Sequence, residues 1–311
     1  MKRVQYHRYG GSEVLSLEEF ALAAPGHGQI RVRIKAAAYN PLDRKIRKGE
    51  MKMITGRTFP RGLGHDFAGV VEAVGPNATR FKIGDEVFGA TGLKESGTFA
   101  EALVTEEKTV FFKPKSLSFE DAAALPVVSM TAWNALIDKA KLQSGQRVFI
   151  TGCLGGVGRI AVQIAAMRGA EVTGSCSASG REEAMTLGVS EVVDYRAFDI
   201  APHRDRFDVV FDTAGVLSLS QCGAMLKRRG MSLHIVPTPA KMIGCLLPSR
   251  HYLIFGNPTP ECMAGITEAA EQGKLVPAIG RIAPLFEAIS AVVELEATGL
   301  PKAKLVIVPT R

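Results

Sequence analysis

The chain has 311 residues, 46% hydrophobic and 22% charged, which is ordinary for a globular protein and long enough for two domains with separate cores. No apolar run approaches the roughly 18 residues of a membrane span, and the start MKRVQYHRYGG lacks the apolar centre of a signal peptide, so a membrane or exported protein is not expected and a cytoplasmic one is. The formal net charge of +7 is local, because residues 1–60 carry 12 Lys or Arg against 5 acids while the remainder balances at 26 against 26.

Residues 1–120 read as β-rich. Gln29 to Lys35 (QIRVRIK) places Ile30, Val32 and Ile34 on one face of a strand, Gly69 to Val74 forms another, and GG, PG, GPN and IGD turns punctuate the segment. A partly open barrel is expected. Between them runs a basic stretch, Arg44, Lys45, Arg47, Lys48, Lys52, Arg57 and Arg61, opposed by Glu50. Such a stretch steers an anionic cofactor, binds nucleic acid, or is a solvated face. A shift to Ala-rich, helical composition puts a domain boundary near residue 121.

The phrase VFITGCLGGVGRIAVQ passes from a buried β-branched strand into a helix with Val157, Ile160, Ala161, Ile164 and Ala165 at helical spacing. Gly152, Gly155 and Gly158 give the tight turn, the close approach of a pyrophosphate and helix–strand packing, with N–H groups of the helix start at Gly156 and Val157 facing the phosphates. Further strands follow at Glu171–Ser175, Glu191–Asp194, Phe207–Asp212, Met231–Val236 and Tyr252–Phe255, separated by helices such as Gly180–Leu187 and Ser218–Arg228. The series predicts an α/β fold with a doubly wound, parallel, six-stranded sheet. The second strand ends in TGSCSASGR without the acid that reads ribose hydroxyls, and offers Ser175, Ser177, Ser179 and Arg181 to a 2′-phosphate. NADPH is therefore expected over NADH, with Arg181 otherwise a solvated residue of the next helix. The five cysteines all lie in the second half without C-x-x-C spacing, as free thiols in a reducing compartment would. The tail reads as an apolar strand, an amphipathic helix and a closing strand.

The phrases YGGSEVLSLEE, AYNPLDRKIRKG, FPRGLGHDFAGVVEAVG, FKIGDEVFG, GTFAEALV, AAALPVVSMTAW, GGVGRIAVQIA, VVDYR and VVFDTAG, in this order, resemble the medium-chain dehydrogenase/reductase superfamily and its zinc-independent quinone oxidoreductase branch. The resemblance implies a GroES-like catalytic domain at 1–121, rejoined by 275–311, and a Rossmann domain at 122–274. It places Asn40 beside the nicotinamide, Thr131 near the cofactor and Tyr195 against the 2′-phosphate. It also places Ala214, Val236 and Phe255 along the nicotinamide half and matches Lys304 to a closing lysine. Lys45 matches a lysine of enone and alkenal reductases that polarises a carbonyl, or else belongs to the solvated basic run. Zinc relatives carry Cys where this chain has Asn40 and a four-Cys lobe where it has FGATGLKESG, so no metal is expected and His65 of GHD is read as a packed residue.

The expected function is NADPH-dependent hydride transfer to a small-molecule quinone or α,β-unsaturated carbonyl, by a homodimer with no membrane partner. Alternatives are an enoyl-thioester reductase, or an NADPH-binding protein with a nucleic-acid-binding or structural role.

Overall fold

The computed structural model describes residues 1–246, 249–298 and 303–309. The chain divides into two compact units, Met1–Val127 with Pro277–Arg311, and Val128–Val276.

In the first unit the alternation of QIRVRIK is realised in β1 (Gln29–Ala38), where Ile30, Val32 and Ile34 are buried and Arg33 and Lys35 are exposed. The strand runs on through Ala36, Ala37 and Ala38, which pair with Ala68, Phe67 and Asp66 of β2 (Asp66–Val74). On the other side of β1, Ala37 and Ala38 pair with the closing strand Lys304–Val308. These small residues are buried on both faces, so the alternation that marks the earlier part of the strand disappears there. β2 continues to β3 (Glu86–Ala90) and β5 (Val110–Phe112), while β4 (Ala102–Glu106) pairs with the first half of β1. The result is a seven-stranded sheet that stays open, ending at Ile279–Pro284 and at β5. A second, three-stranded sheet joins Lys2–Tyr6 to Ser16–Glu19 and Arg61–Gly62.

The helix Phe119–Ala123 belongs to this unit, which moves the division six residues beyond the expected position near 121 to Val127. Ala122 to Leu125 are wholly buried, and the Val127 N–H donates to Asp66 Oδ1 at 2.9 Å. Composition changes where the helix begins, but packing holds that helix to the β-rich unit.

Two helices follow β1 in the first unit, α1 (Pro41–Arg47) and α2 (Lys52–Thr55). Asn40 caps α1 in a capping box with Asp43, whose carboxylate takes the Asn40 N–H at 2.7 Å. Arg47 is completely buried and donates to both oxygens of Glu296 at 3.0 and 2.8 Å, and Tyr39 donates to the same carboxylate. Burial opposes ionisation of Glu296, but these donors outweigh it and hold its pKa below the usual range.

The second unit is a six-stranded parallel sheet built from β6 (Arg147–Thr151), β7 (Glu171–Cys176), β8 (Glu191–Asp194), β9 (Phe207–Asp212), β10 (Leu226–His234) and β11 (His251–Leu253). Across the sheet they lie in the order β8-β7-β6-β9-β10-β11. Between them run α3 (Gly156–Met167), α4 (Arg181–Leu187), α5 (Leu219–Met225) and α6 (Pro239–Leu246). The order reverses between β6 and β9, the position where doubly wound sheets bind dinucleotides.

Several boundaries differ from the sequence expectation. The helix expected over Ser218–Arg228 stops at Met225, because Leu226 is drawn extended into the aromatic core with Phe149 and Phe207, and it pairs with Phe207. Lys227 and Arg228 therefore lie on β10, with Lys227 donating to Asp208 at 2.7 Å. β10 ends at His234 and β11 at Leu253, so Val236 and Phe255 sit in the segments after their strands. All five cysteines are free, and burial pushes Cys153, Cys222 and Cys262 up to about 12, which makes them poor nucleophiles.

Candidate functional site

In the second unit the glycine turn leaves β6 through Gly152, whose φ of +58° is the left-handed conformation that glycine adopts without strain. Gly155 is the N-cap of α3, its N–H donating to Gly152 O at 2.8 Å. Gly158 packs so closely that a Cβ there would lie 2.1 Å from the Gly152 carbonyl oxygen. No side chain caps α3, and the first intrahelical donor is Arg159 N–H, to Gly155 O at 2.8 Å. The N–H groups of Gly156, Val157 and Gly158 are thus free to bind an anion at the positive end of the helix dipole. This cradle fits the pyrophosphate of a dinucleotide.

Ser175, expected to meet a 2′-phosphate, is instead buried, and its hydroxyl accepts the Gly152 N–H at 3.3 Å, which fixes the turn from beneath. Ser177, Ser179, Arg181 and Tyr195 remain at the surface beyond the ends of β7 and β8. Ser177 and Ser179 share a hydrogen bond at 3.1 Å, and Arg181 makes a long contact to Val192 O at 3.4 Å that leaves most of its fork free. Tyr195 lies beside the Arg196 guanidinium.

The strand ends at the reversal point are tied by Asp212. Its carboxylate accepts from Thr151 Oγ1 at 2.8 Å, from Lys241 Nζ at 2.6 Å, and from the N–H groups of Gly215, Val216 and Leu217 at 3.0 to 3.3 Å. Thr151 Oγ1 in turn accepts the Ala214 N–H at 3.0 Å. This brings Ala214 against Gly152 and Val236 against Gly215, whose φ is +75°. Burial opposes ionisation of Asp212, yet His234, Lys241 and Thr151 together hold its carboxyl down at about 2. Farther along the sheet, the segment after β11 is pinned by Asn257 N–H donating to Asn134 Oδ1 at 2.7 Å, and Gly256 lies against Thr131. Phe255, in that segment, is 64% exposed.

In the first unit Asn40 is buried and largely engaged. Its Nδ2 donates to Asp66 Oδ2 at 2.8 Å and its Oδ1 accepts from Lys304 Nζ at 2.6 Å. Lys304, the residue matched to the family's closing lysine, also donates to Asp66 Oδ2 at 3.0 Å in a buried ion pair. Burial pushes the Asp66 pKa up against the pull of Lys304 and Asn40. Beside it the second Asp43 oxygen takes His65 Nδ1 at 2.5 Å. His65 is a packed, hydrogen-bonded residue, and among the described residues no three His, Cys, Asp or Glu side chains gather as a metal site.

The basic stretch is broken up by the fold. Arg47 and Arg61 are buried, and Arg44 lies 3.9 Å from Glu296. Lys45, half-buried, has no hydrogen-bond or ion-pair partner for its ammonium among the described residues.

Residues 26–115 match the alcohol dehydrogenase GroES-like domain and residues 156–252 the zinc-binding dehydrogenase family. The chain is 34% identical, over 99% of its length and 79% of the relative's, to 2-methylene-furan-3-one reductase of Solanum lycopersicum. It belongs to the medium-chain dehydrogenase/reductase superfamily, in the quinone oxidoreductase branch. This oxidoreductase is also 34% identical, over 78% of its length and 77% of the relative's, to a chloroplastic quinone-oxidoreductase homolog of Spinacia oleracea. Its fold superimposes on a quinone oxidoreductase of Coxiella burnetii with a TM-score of 0.90 at 28% identity, covering 100% and 99% of the two chains.

Sequence reasoning passed over Asp43, Asp66, Asp212 and Lys241. Asp66 and Asp212 each stand at a strand end in a quoted phrase, GHD and VVFDTAG, and an acid at the end of an otherwise apolar strand is the signal that marks them.

Proposed function

We propose that this oxidoreductase passes a hydride from NADPH to a quinone or to the β-carbon of an α,β-unsaturated carbonyl, without a metal. The observation that carries the cofactor half is the bare N-terminus of α3 beside Gly158, a cradle shaped for backbone contact with pyrophosphate. The acceptor class is supported by relatives named for quinones, for an alkenal/one and for a methylene-furanone, all conjugated carbonyl compounds. When bound, the dinucleotide supplies the hydride, and the chain supplies position and charge. Oxidation of NADPH on addition of a quinone or an enone, in the presence of a chelator, tests this reading. A purified protein that turns over neither acceptor class contradicts it.

The preference for NADPH is supported by the half-buried Ser177, the exposed Ser179, Arg181 and Tyr195, and the lack of an acid after β7 before Glu182. A charge-assisted bond of about 1.5 to 3 kcal/mol corresponds to roughly 10-fold or more in affinity. Arg181→Ala is expected to weaken NADPH by on the order of 10-fold while leaving NADH unchanged, as read by fluorescence titration. An equal loss for both cofactors would remove Arg181 from the phosphate site.

Lys45 supports the acceptor half because an unpartnered ammonium can meet the oxygen on which charge develops. Lys45→Met is expected to lower kcat and kcat/KM together, by on the order of 100-fold, with NADPH affinity unchanged. The role of Asn40 beside the nicotinamide rests on the family resemblance, its amide being engaged by Asp66 and Lys304. The five free thiols support a reducing compartment. β11 is the outermost strand of its sheet among the described residues, and with Ile243 and Leu246 exposed on the adjoining α6 this supports a homodimer, which light scattering would test.

A further inference from the structure

The segment from Lys48 to Arg57 is tied to its neighbours by hydrogen bonds and still presents two adjacent apolar side chains to solvent. Its helix α2 is fastened from below: Thr55 is buried and donates to Met51 O at 3.1 Å, buried Arg61 donates to Thr55 O at 2.6 Å, and Tyr9 donates to Gly56 O. The following Phe59 packs edge-on against Tyr6 and Tyr9. On this anchored turn Met53 is 91% exposed and Ile54 52%. In the same segment Lys48, Lys52 and Arg57 are exposed and make no ion pair among the described residues, and Glu50 is the one acid between Lys48 and Arg57 in the chain.

A side chain that is 91% exposed protrudes, so it lines no pocket and reads as a part that enters something. The rim of cations calls for a surface of anions. Nucleic acid meets the charge but not the apex, since bases stack on aromatic rings and this apex carries Met and Ile. A free small anion would need convergent buried donors, which a convex apex does not offer. We propose that α2 docks the protein on an anionic lipid bilayer, with Met53 and Ile54 entering the headgroup boundary and Lys48, Lys52 and Arg57 facing the lipid phosphates and carboxylates. Among the described residues no helix is long and apolar enough to cross a membrane, and docking requires none.

Sedimentation with phosphatidylcholine/phosphatidylserine vesicles, compared with phosphatidylcholine alone, tests the proposal. The wild-type chain is expected to pellet with the anionic vesicles and stay in solution with the neutral ones. Lys52→Gln with Arg57→Gln is expected to reduce partitioning by about fivefold per cation removed, and Met53→Ser with Ile54→Ser is expected to reduce it at unchanged charge. NADPH oxidation with a water-soluble acceptor should be equal in all three proteins, which shows that the variants fold. Wild-type protein left in the supernatant with anionic vesicles overturns the proposal. So does a Met53/Ile54 variant that pellets like wild type, because charge alone would then account for adhesion and any anionic polymer, RNA included, would serve.

Discussion

Gly158→Ala is expected to cost about 3 kcal/mol of stability and to weaken NADPH binding by on the order of 100-fold. The added Cβ would lie 2.1 Å from the Gly152 carbonyl oxygen, a backbone atom that no rotamer change can move aside. Either α3 shifts away from β6 or the turn distorts, and both displace the N–H groups of Gly156, Val157 and Gly158 from a shared anion site. Gly155→Ala is the graded control, since its Cβ would meet the same oxygen at 3.2 Å, at a φ of −72° that alanine accepts. Its loss should be several-fold smaller. Urea unfolding gives the stability and fluorescence titration the affinity. Unchanged NADPH affinity in a folded Gly158→Ala protein would mean that the turn does not hold the pyrophosphate.

Asp212→Asn is expected to destabilise the fold by about 3 to 5 kcal/mol. It leaves the Lys241 ammonium, whose side chain is 4% exposed, without its counter-charge, and it removes an acceptor from the N–H groups that shape the Ala214–Leu217 loop. The effect depends on pH in a definite direction. The carboxyl sits at about 2 in the folded chain against 3.8 for the free group. A depressed carboxyl stabilises the fold above the unfolded value and stops doing so as pH falls through the folded one. The difference is about 2 kcal/mol, present at neutral pH and lost as pH falls from about 4 through about 2. The stability gap between wild type and Asp212→Asn should therefore narrow over that interval. A gap constant from neutral pH to pH 3 would show that Asp212 is not held ionised by its neighbours.

The glycine turn and its sheet were legible because their signals are local. Val148, Phe149 and Ile150 are a continuous apolar run, Gly152 and Gly158 stand three and six residues from Gly155 and Gly152, and Phe207–Asp212 and Glu191–Asp194 begin and end where the sequence puts them. Element ends were less legible where a partner decides them. Leu226 looks helical in sequence and becomes strand because Phe207 and Phe149 bury it. The buried polar centres were the least legible, since Asn40 reaches Asp66 and Lys304 across 26 and 264 residues of chain. Nothing in NPLDRK says that Arg47 will be buried against Glu296 while the ammonium of Lys45, two residues earlier, has no partner among the described residues. Charge counting treated both as one basic patch, and only packing separates them.

The most direct test of the account is transfer of label from NADPH carrying deuterium at both C4 positions to an enone, in chelator-treated buffer, with the product read by mass spectrometry and NMR. One deuterium at the β-carbon, at a rate unaffected by the chelator, is the predicted result. NADPH oxidation that leaves the enone unlabelled, or activity that vanishes with the chelator and returns with zinc, would contradict it.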